Sequence, residues 1–147
     1  MTITSTVFQQ NDPIPANYGR NGQNINPPLT FSEVPAEAKT LALIVEDPDA
    51  PKGVFTHWIL YNMSPATLQI MEAQLPLNAK QATNDYGNQQ YDGPAPPSGT
   101  HRYFFKVFAL DKKLDIKPTA KRDEFYKAVE GGVIAQAEII GTFVATG

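Results

Sequence analysis

No apolar run in this sequence goes far before a proline or a glycine closes it. Thirteen prolines and ten glycines stand among 147 residues, above the ~12% that the two types usually contribute together, and they fall between the apolar runs. Proline lacks a backbone donor and clashes with the preceding helical turn. Glycine loses the most backbone freedom on ordering. A chain punctuated this way is expected to fold into short elements joined by many turns, which argues against long helices. Neither a repeat nor a linker divides it, so the expectation is one domain spanning 1–147, large enough to bury roughly 70% of its unfolded surface. There is no cysteine, which excludes a disulfide scaffold, thiolate metal sites and thiol nucleophiles.

Between the turn signals the runs read as strands. Leu41 to Val45 is continuously apolar and partly β-branched, as in a strand buried on both faces, and it ends at Glu46 before Asp47-Pro48-Asp49-Ala50-Pro51. Phe55 to Met63 is the next strand. A two-residue period puts Phe55, His57, Ile59 and Tyr61 on one face and Thr56, Trp58, Leu60 and Asn62 on the other. Tyr18 to Pro28 and the polar stretch from Asn78 to Thr100 read as loops, the second long enough to suggest a functional one. His101 to Leu110 is the strongest strand signal, with His101, Tyr103, Phe105, Val107 and Ala109 sharing a face. Lys121 to Glu130 reads as a helix stopped by Gly131-Gly132, with Phe125 and Val129 spaced i,i+4. Ile134 to Val144 reads as a last strand, although Ala135 to Glu138 also suits a helix. The pattern is mainly β with one late helix, and a β-sandwich is the economical fold.

Twelve basic against fifteen acidic residues leave a net charge of −3, which argues against nucleic-acid binding. No run approaches the ~20 apolar residues of a membrane span, and Met1 to Gln10 carries neither a basic nor an apolar signal region. The expectation is a cytoplasmic protein without a transmembrane segment.

The only two histidines both lie in strands beside proline-rich loops. His101 and Tyr103, two apart, emerge on one face. If the two strands are neighbours, His57 joins them and the end of the 41–45 strand presents Asp47. A carboxylate, two imidazoles and a phenol suit a small anion: the carboxylate fixes which ring nitrogen donates, while the other nitrogen, the phenol and loop N–H groups donate to phosphate oxygens. The plainer alternative is a pair of strand histidines satisfied by carbonyls, with Asp47 making an Asx-turn. A two-histidine, one-carboxylate metal site lacks the short spacings of metal ligands, so neither metal nor cofactor is expected. Ser98 beside His101 makes a poor dyad, and no phosphate-binding glycine loop or dinucleotide fingerprint occurs. Lys121-Arg122 reads as solvated surface.

At these residues the chain resembles the phosphatidylethanolamine-binding protein family, in its short bacterial and archaeal, Raf kinase inhibitor-like branch. The match runs through Tyr18, Gly22, Asn24 and Pro27-Pro28-Leu29, then Asp47-Pro-Asp-Ala-Pro51, His57-Trp58 and Asn62. It ends with Tyr91-x-Gly93-Pro-x-Pro-Pro97, Gly99 and His101-Arg102-Tyr103. The resemblance implies an antiparallel β-sandwich, with Greek-key-like connections and one short helix near the C-terminus, holding an anion pocket at one end. It places the pocket aspartate at Asp47, the histidines at His57 and His101 and the tyrosine at Tyr103, with Pro51, Phe55, Gly93, Ala95 and Pro96 lining the mouth. The expected partner is a small phosphorylated ligand or a phospholipid headgroup. The alternatives are a kinase or protease inhibitor acting by protein contact and, third, a small hydrolase. Relatives also allow a homodimer.

Overall fold

The computed structural model describes residues 1–146. Two antiparallel sheets carry the fold. The larger has five strands in the order β6-β4-β3-β7-β8, with β3 Thr40–Asp47, β4 Phe55–Met63, β6 Lys80–Gln81, β7 Thr100–Leu110 and β8 Val133–Val144. The smaller has the order β1-β2-β5, from Thr2–Thr4, Leu29–Ser32 and Gln69–Ile70. After the β3–β4 hairpin the chain crosses to the small sheet and returns to place β7 on the other side of β3, the crossover of a Greek-key-like sandwich.

The inner strands of the large sheet are buried on both faces, while the edge strands β6 and β8 are mostly exposed or half-buried. Leu41, Leu43, Val45, Phe105 and Val107 pack with Phe31, Leu29 and Ile70 of the small sheet. Ala42, Ile44, Ile59 and Phe108 pack on the opposite side with Leu114, Phe125 and Val129. Every residue of β3 is buried, which explains its unbroken apolar run. The strand continues two residues past that run: Glu46 and Asp47 belong to it, carboxylates included.

The one α-helix, α1, spans Arg122–Val129, and the Lys121 N–H donates to Glu124 Oε2 at 2.7 Å at its start. Phe125 and Val129 are its buried positions. Arg122 is not free surface: its Nε lies 2.9 Å from Glu46 Oε2, while Lys106 Nζ and the Tyr126 hydroxyl reach Glu46 Oε1 at 2.7 and 2.9 Å. Burial works to raise the Glu46 carboxyl, but Lys106, Arg122 and Tyr126 outweigh it and hold it below the ordinary carboxylate range. The segment 135–138 is strand, paired residue by residue with 106–109. Among the described residues no helix is long and apolar enough to cross a membrane.

Phe125 is fully buried between α1 and the sheet. Phe125→Ala should therefore lower unfolding stability by about 3–5 kcal/mol, read in urea as a fall in midpoint at unchanged slope.

Candidate functional site

The pairing of β4 with β3 shifts register at two places, and the one between Val45 and Glu46 builds the site. Val45 pairs with Trp58 but Glu46 pairs with Thr56, so His57 is the extra residue of a β-bulge. A bulge sets two residues against one and re-aims the side chains that follow. Beyond it Trp58 and Leu60 join the core between the sheets, whereas Ile59 and Tyr61 face the helix. The expected common face for Phe55, His57, Ile59 and Tyr61 is thus corrected: Phe55 and His57 part from Ile59 and Tyr61 and turn toward Asp47 and Tyr103.

The 82–99 loop pairs with the backbone that the bulge leaves over. The Thr56 N–H donates to Asp85 Oδ2 at 2.8 Å, and the Asp85 N–H to the Thr56 carbonyl at 2.9 Å. The His57 carbonyl accepts from the Asp92 N–H at 3.2 Å and from Asn84 Nδ2 at 3.3 Å. In return, His57 Nδ1 donates to the Asp92 carbonyl at 2.7 Å. The Asp92 carboxylate is itself buried among amide donors, with Asn84 and Asn88 on Oδ2 and Asn24 and Gln90 on Oδ1, all at 2.8–3.0 Å. Burial pushes its carboxyl up, but the four amides prevail and keep it below the ordinary range.

Across the mouth, Asp47 makes two bonds. Its Oδ1 accepts the Asp49 N–H at 2.8 Å, the Asx-turn, and its Oδ2 accepts from His101 Nδ1 at 2.6 Å. The turn is clipped to β7 by Asp49, which takes the Arg102 backbone N–H, Nε and a terminal guanidinium nitrogen at 2.8–2.9 Å. The Arg102 hydrogen bonds outweigh desolvation and hold the Asp49 carboxyl at about 2.

These elements enclose a cavity of about 200 Å³. Asp47, His57, His101 and Tyr103 all line it, as do Pro51, Phe55, Ala95 and Pro96. Gly93 is not in that wall. Its N–H donates to Asn24 Oδ1 at 2.7 Å, and a Cβ there would stand 2.0 Å from the Tyr18 carbonyl oxygen, so this position serves close backbone approach. Asn62 also lies elsewhere: at φ +55° it pairs its amide with the N–H and carbonyl of Leu114. Sequence reasoning missed Tyr86, whose ring lies 4.8 Å from Phe55 and 5.9 Å from His57 and carries the Arg20 guanidinium at 3.9 Å. It also missed Asn84 and Asp92; the polar Asn84-Asp85-Tyr86-Gly87 stretch was the available signal.

The Tyr103 ring stands edge-on to His57 at 5.2 Å. Its hydroxyl is buried and makes no hydrogen bond of good geometry, although the Asp47 carboxylate and the Ala95 backbone lie near it. Burial, and then the Asp47 charge, push this phenol far above its usual value, so it remains a donor at any ordinary pH. Burial also lowers the His57 imidazole, against the pull of the Asp92 carbonyl and of the Asp47, Asp92 and Asp85 charges.

That last shift has a definite sign. With His57 held neutral in the fold and free to protonate near ~6.5 when unfolded, its contribution is complete above that value and declines as pH falls below it. Unfolding stability should drop between about pH 7 and pH 5, by no more than about 1.4 kcal/mol per pH unit from this group. His57→Gln should flatten that part of the profile; a profile identical to wild type would assign the slope to other groups.

Comparisons with known proteins agree on ancestry. The family model for phosphatidylethanolamine-binding protein matches residues 4–144. UPF0098 proteins of Methanothermobacter thermautotrophicus and Chlamydia pneumoniae are 43% and 45% identical, each over 97% of this chain and 98% of their own. The structure of a phosphatidylethanolamine-binding protein homolog from Chlamydia trachomatis superposes with a TM-score of 0.93 at 41% identity, covering 99% of this chain and 97% of that one. YbcL of E. coli, described as a member of the mammalian PEBP family, gives 0.90 at 28% identity, with 99% and 98% covered. The bulged β4, the Asp47 turn and the 82–99 loop are thus carried on a chain that belongs to the phosphatidylethanolamine-binding protein family.

Proposed function

We propose that the chain is a binding module for a small anion of the phosphate type, held at the Asp47, His57, His101 and Tyr103 end of the sandwich. The observation that carries this reading is the Tyr103 hydroxyl, buried with no partner in the wall of a cavity that both imidazoles share. A buried hydroxyl left unpaired costs about 1–3 kcal/mol, and an oxyanion in the cavity supplies the acceptor it lacks. Asp47 fixes the His101 ring and the Asp92 carbonyl fixes His57, so both rings are oriented before a ligand arrives. The rim of Pro51, Ala95 and Pro96 adds stiff apolar walls. A cavity of about 200 Å³ suits a phosphate or headgroup-sized ligand, and the family's name favours a phospholipid headgroup as one source. Ser98, the hydroxyl nearest His101 in sequence, is not among the residues that line the cavity, which weakens the hydrolase reading.

NMR titration of the imidazole protons tests the site directly, because only two rings contribute. Added phosphate should shift both, and signals indifferent to phosphate would remove the reading. Tyr103→Phe gives a sharper contrast. Because the hydroxyl has no partner in the fold, its removal should leave stability unchanged or slightly raised, while anion affinity falls by about five- to tenfold. Equal affinity in the variant would exclude Tyr103 as a donor.

A further inference from the structure

The outer edge of β8 is paired over only part of its length. Ile140 and Thr142 turn their outward backbone groups to the 10–14 segment. The Asn11 N–H donates to the Ile140 carbonyl at 2.7 Å, the Ile14 N–H to the Thr142 carbonyl at 2.8 Å, and the Thr142 N–H to the Asp12 carbonyl at 2.9 Å. The Ile140 N–H donates to Gln10 Oε1 at 3.0 Å. Along an antiparallel pair, residues alternate between bonding across the pair and bonding outward. β8 keeps one register with β7 from Ala135 to Val144, so Gln136 and Glu138 point their N–H and C=O groups outward as Ile140 and Thr142 do. Among the described residues no other segment pairs with those four groups. Neither lysine nor proline, the usual guards of an edge, stands in β8. The opposite edge strand β6 has only two residues, one of them Lys80.

The open stretch is closed at both ends. The 10–14 segment stops it at Ile140, and Ile134 is the extra residue of a bulge, since Ala109 pairs with Ala135 but Leu110 with Val133. Residues 135–139 remain, about 17 Å of strand. Beside them, on the helix face of the sheet, lies a cavity of about 310 Å³ walled by Lys106, Phe108, Tyr126, Gln136, Ala137 and Glu138. It shares no residue with the Asp47 cavity. Lys106 Nζ lies 2.7 Å from Glu46 Oε1 and Arg122 Nε 2.9 Å from Oε2, so both cations turn to one buried carboxylate. Glu138, opposite Lys106 in the ladder, is exposed and has no ion pair among the described residues.

We infer that the 135–139 edge is a docking slot for a short extended segment of a partner protein, which adds as a strand outside β8 and lays a lysine or arginine side chain across it into the Phe108–Tyr126 cavity. Four unpaired main-chain groups in strand geometry match the main chain of another strand, and a cavity beside them selects a side chain. An added strand lies ~4.8 Å outside β8, so a side chain that reaches the two rings must be long. Lysine and arginine have that length, an apolar stem to lie along the rings and a charge that meets Glu138. The chain's net charge of −3 favours a basic partner in the same sense. A second copy fits less well. In the two-fold arrangement that pairs β8 with β8 about Ala137, residue 134 of one copy faces residue 140 of the other, where the 10–14 segment already sits.

NMR of the ¹⁵N-labelled full chain with the blocked peptide acetyl-Thr-Thr-Lys-Thr-Thr-amide tests the slot. In dilute free protein the Gln136 and Glu138 amides should exchange with solvent about tenfold or more faster than those of Ala135, Ala137 and Ile139. Peptide should slow that exchange and shift the signals of 135–139, Phe108 and Tyr126. Glutamate in place of the peptide's lysine should weaken binding about fivefold at low salt, a contrast that Glu138→Gln and high salt each reduce. Gln136→Pro removes one outward N–H, a change an edge strand tolerates, and should abolish binding while the spectrum stays dispersed. If that variant does not fold, the exchange contrast and Glu138→Gln still decide. Signals of 135–139 unmoved at millimolar peptide, or lysine and glutamate peptides binding alike, overturn the proposal. Protection of Gln136 and Glu138 that rises with protein concentration alone gives the edge to a second copy and overturns it as well.

Discussion

β3 ends in two consecutive carboxylates that are both buried, Glu46 at 3% and Asp47 at 3% exposure, and the rest of the molecule is arranged around that constraint. An uncompensated buried charge costs several kcal/mol, so each must have partners. Strand alternation sends the two to opposite faces. Glu46 meets Lys106, Arg122 and Tyr126, which tie α1 onto the sheet. Asp47 meets His101 and the backbone of its own turn, which closes the mouth of the sandwich. One strand end thereby anchors the helix layer on one side and the cavity on the other.

A second buried charge organises the opposite wall. Asp92 is compensated by amides rather than by a close ion pair: Arg20 approaches only to 4.0 Å, while four side-chain amides bond directly. Those amides come from Asn24, Asn84, Asn88 and Gln90, so satisfying one carboxylate gathers two loops into a fixed shape. The same residue then holds His57 through its backbone N–H and carbonyl. The loop can fill this role because β4 is bulged. A regular strand would give those backbone groups to the ladder and turn His57 toward the helix.

Much of this was legible in the sequence, for identifiable reasons. The runs 55–63 and 101–110 are long and aromatic or β-branched, and the structure bears them out as β4 and β7; the helix departs by a residue at either end. Asp47, His57, His101 and Tyr103 could be grouped because a proline-bracketed turn and two strands carry them. The short strands β1, β2, β5 and β6 have two to four residues each, too few to show a period. The bulge is a property of the β3–β4 pairing and leaves no trace in β4 alone. Ala135 to Glu138 was ambiguous because its helix-compatible residues become strand only by pairing with Lys106 to Ala109. Arg122 looked solvated because its partner Glu46 is distant in sequence. Asp92 sat unnoticed between Tyr91 and Gly93 because its importance lies in the amides that converge on it.

The Tyr103 hydroxyl is the exception to a mouth in which the buried polar side chains otherwise find partners. The one other buried side-chain polar atom without a partner among the described residues, Thr56 Oγ1, belongs to a residue paired with Glu46, away from the cavity. Phenylalanine would fill the ring's place in the core without an unpaired oxygen, so the hydroxyl has no evident structural purpose where it stands. Its position beside two pre-oriented imidazoles is the feature on which the anion-binding proposal rests. A site whose donors and acceptors are fixed before the ligand arrives loses little entropy on binding and selects by hydrogen-bond polarity as much as by charge.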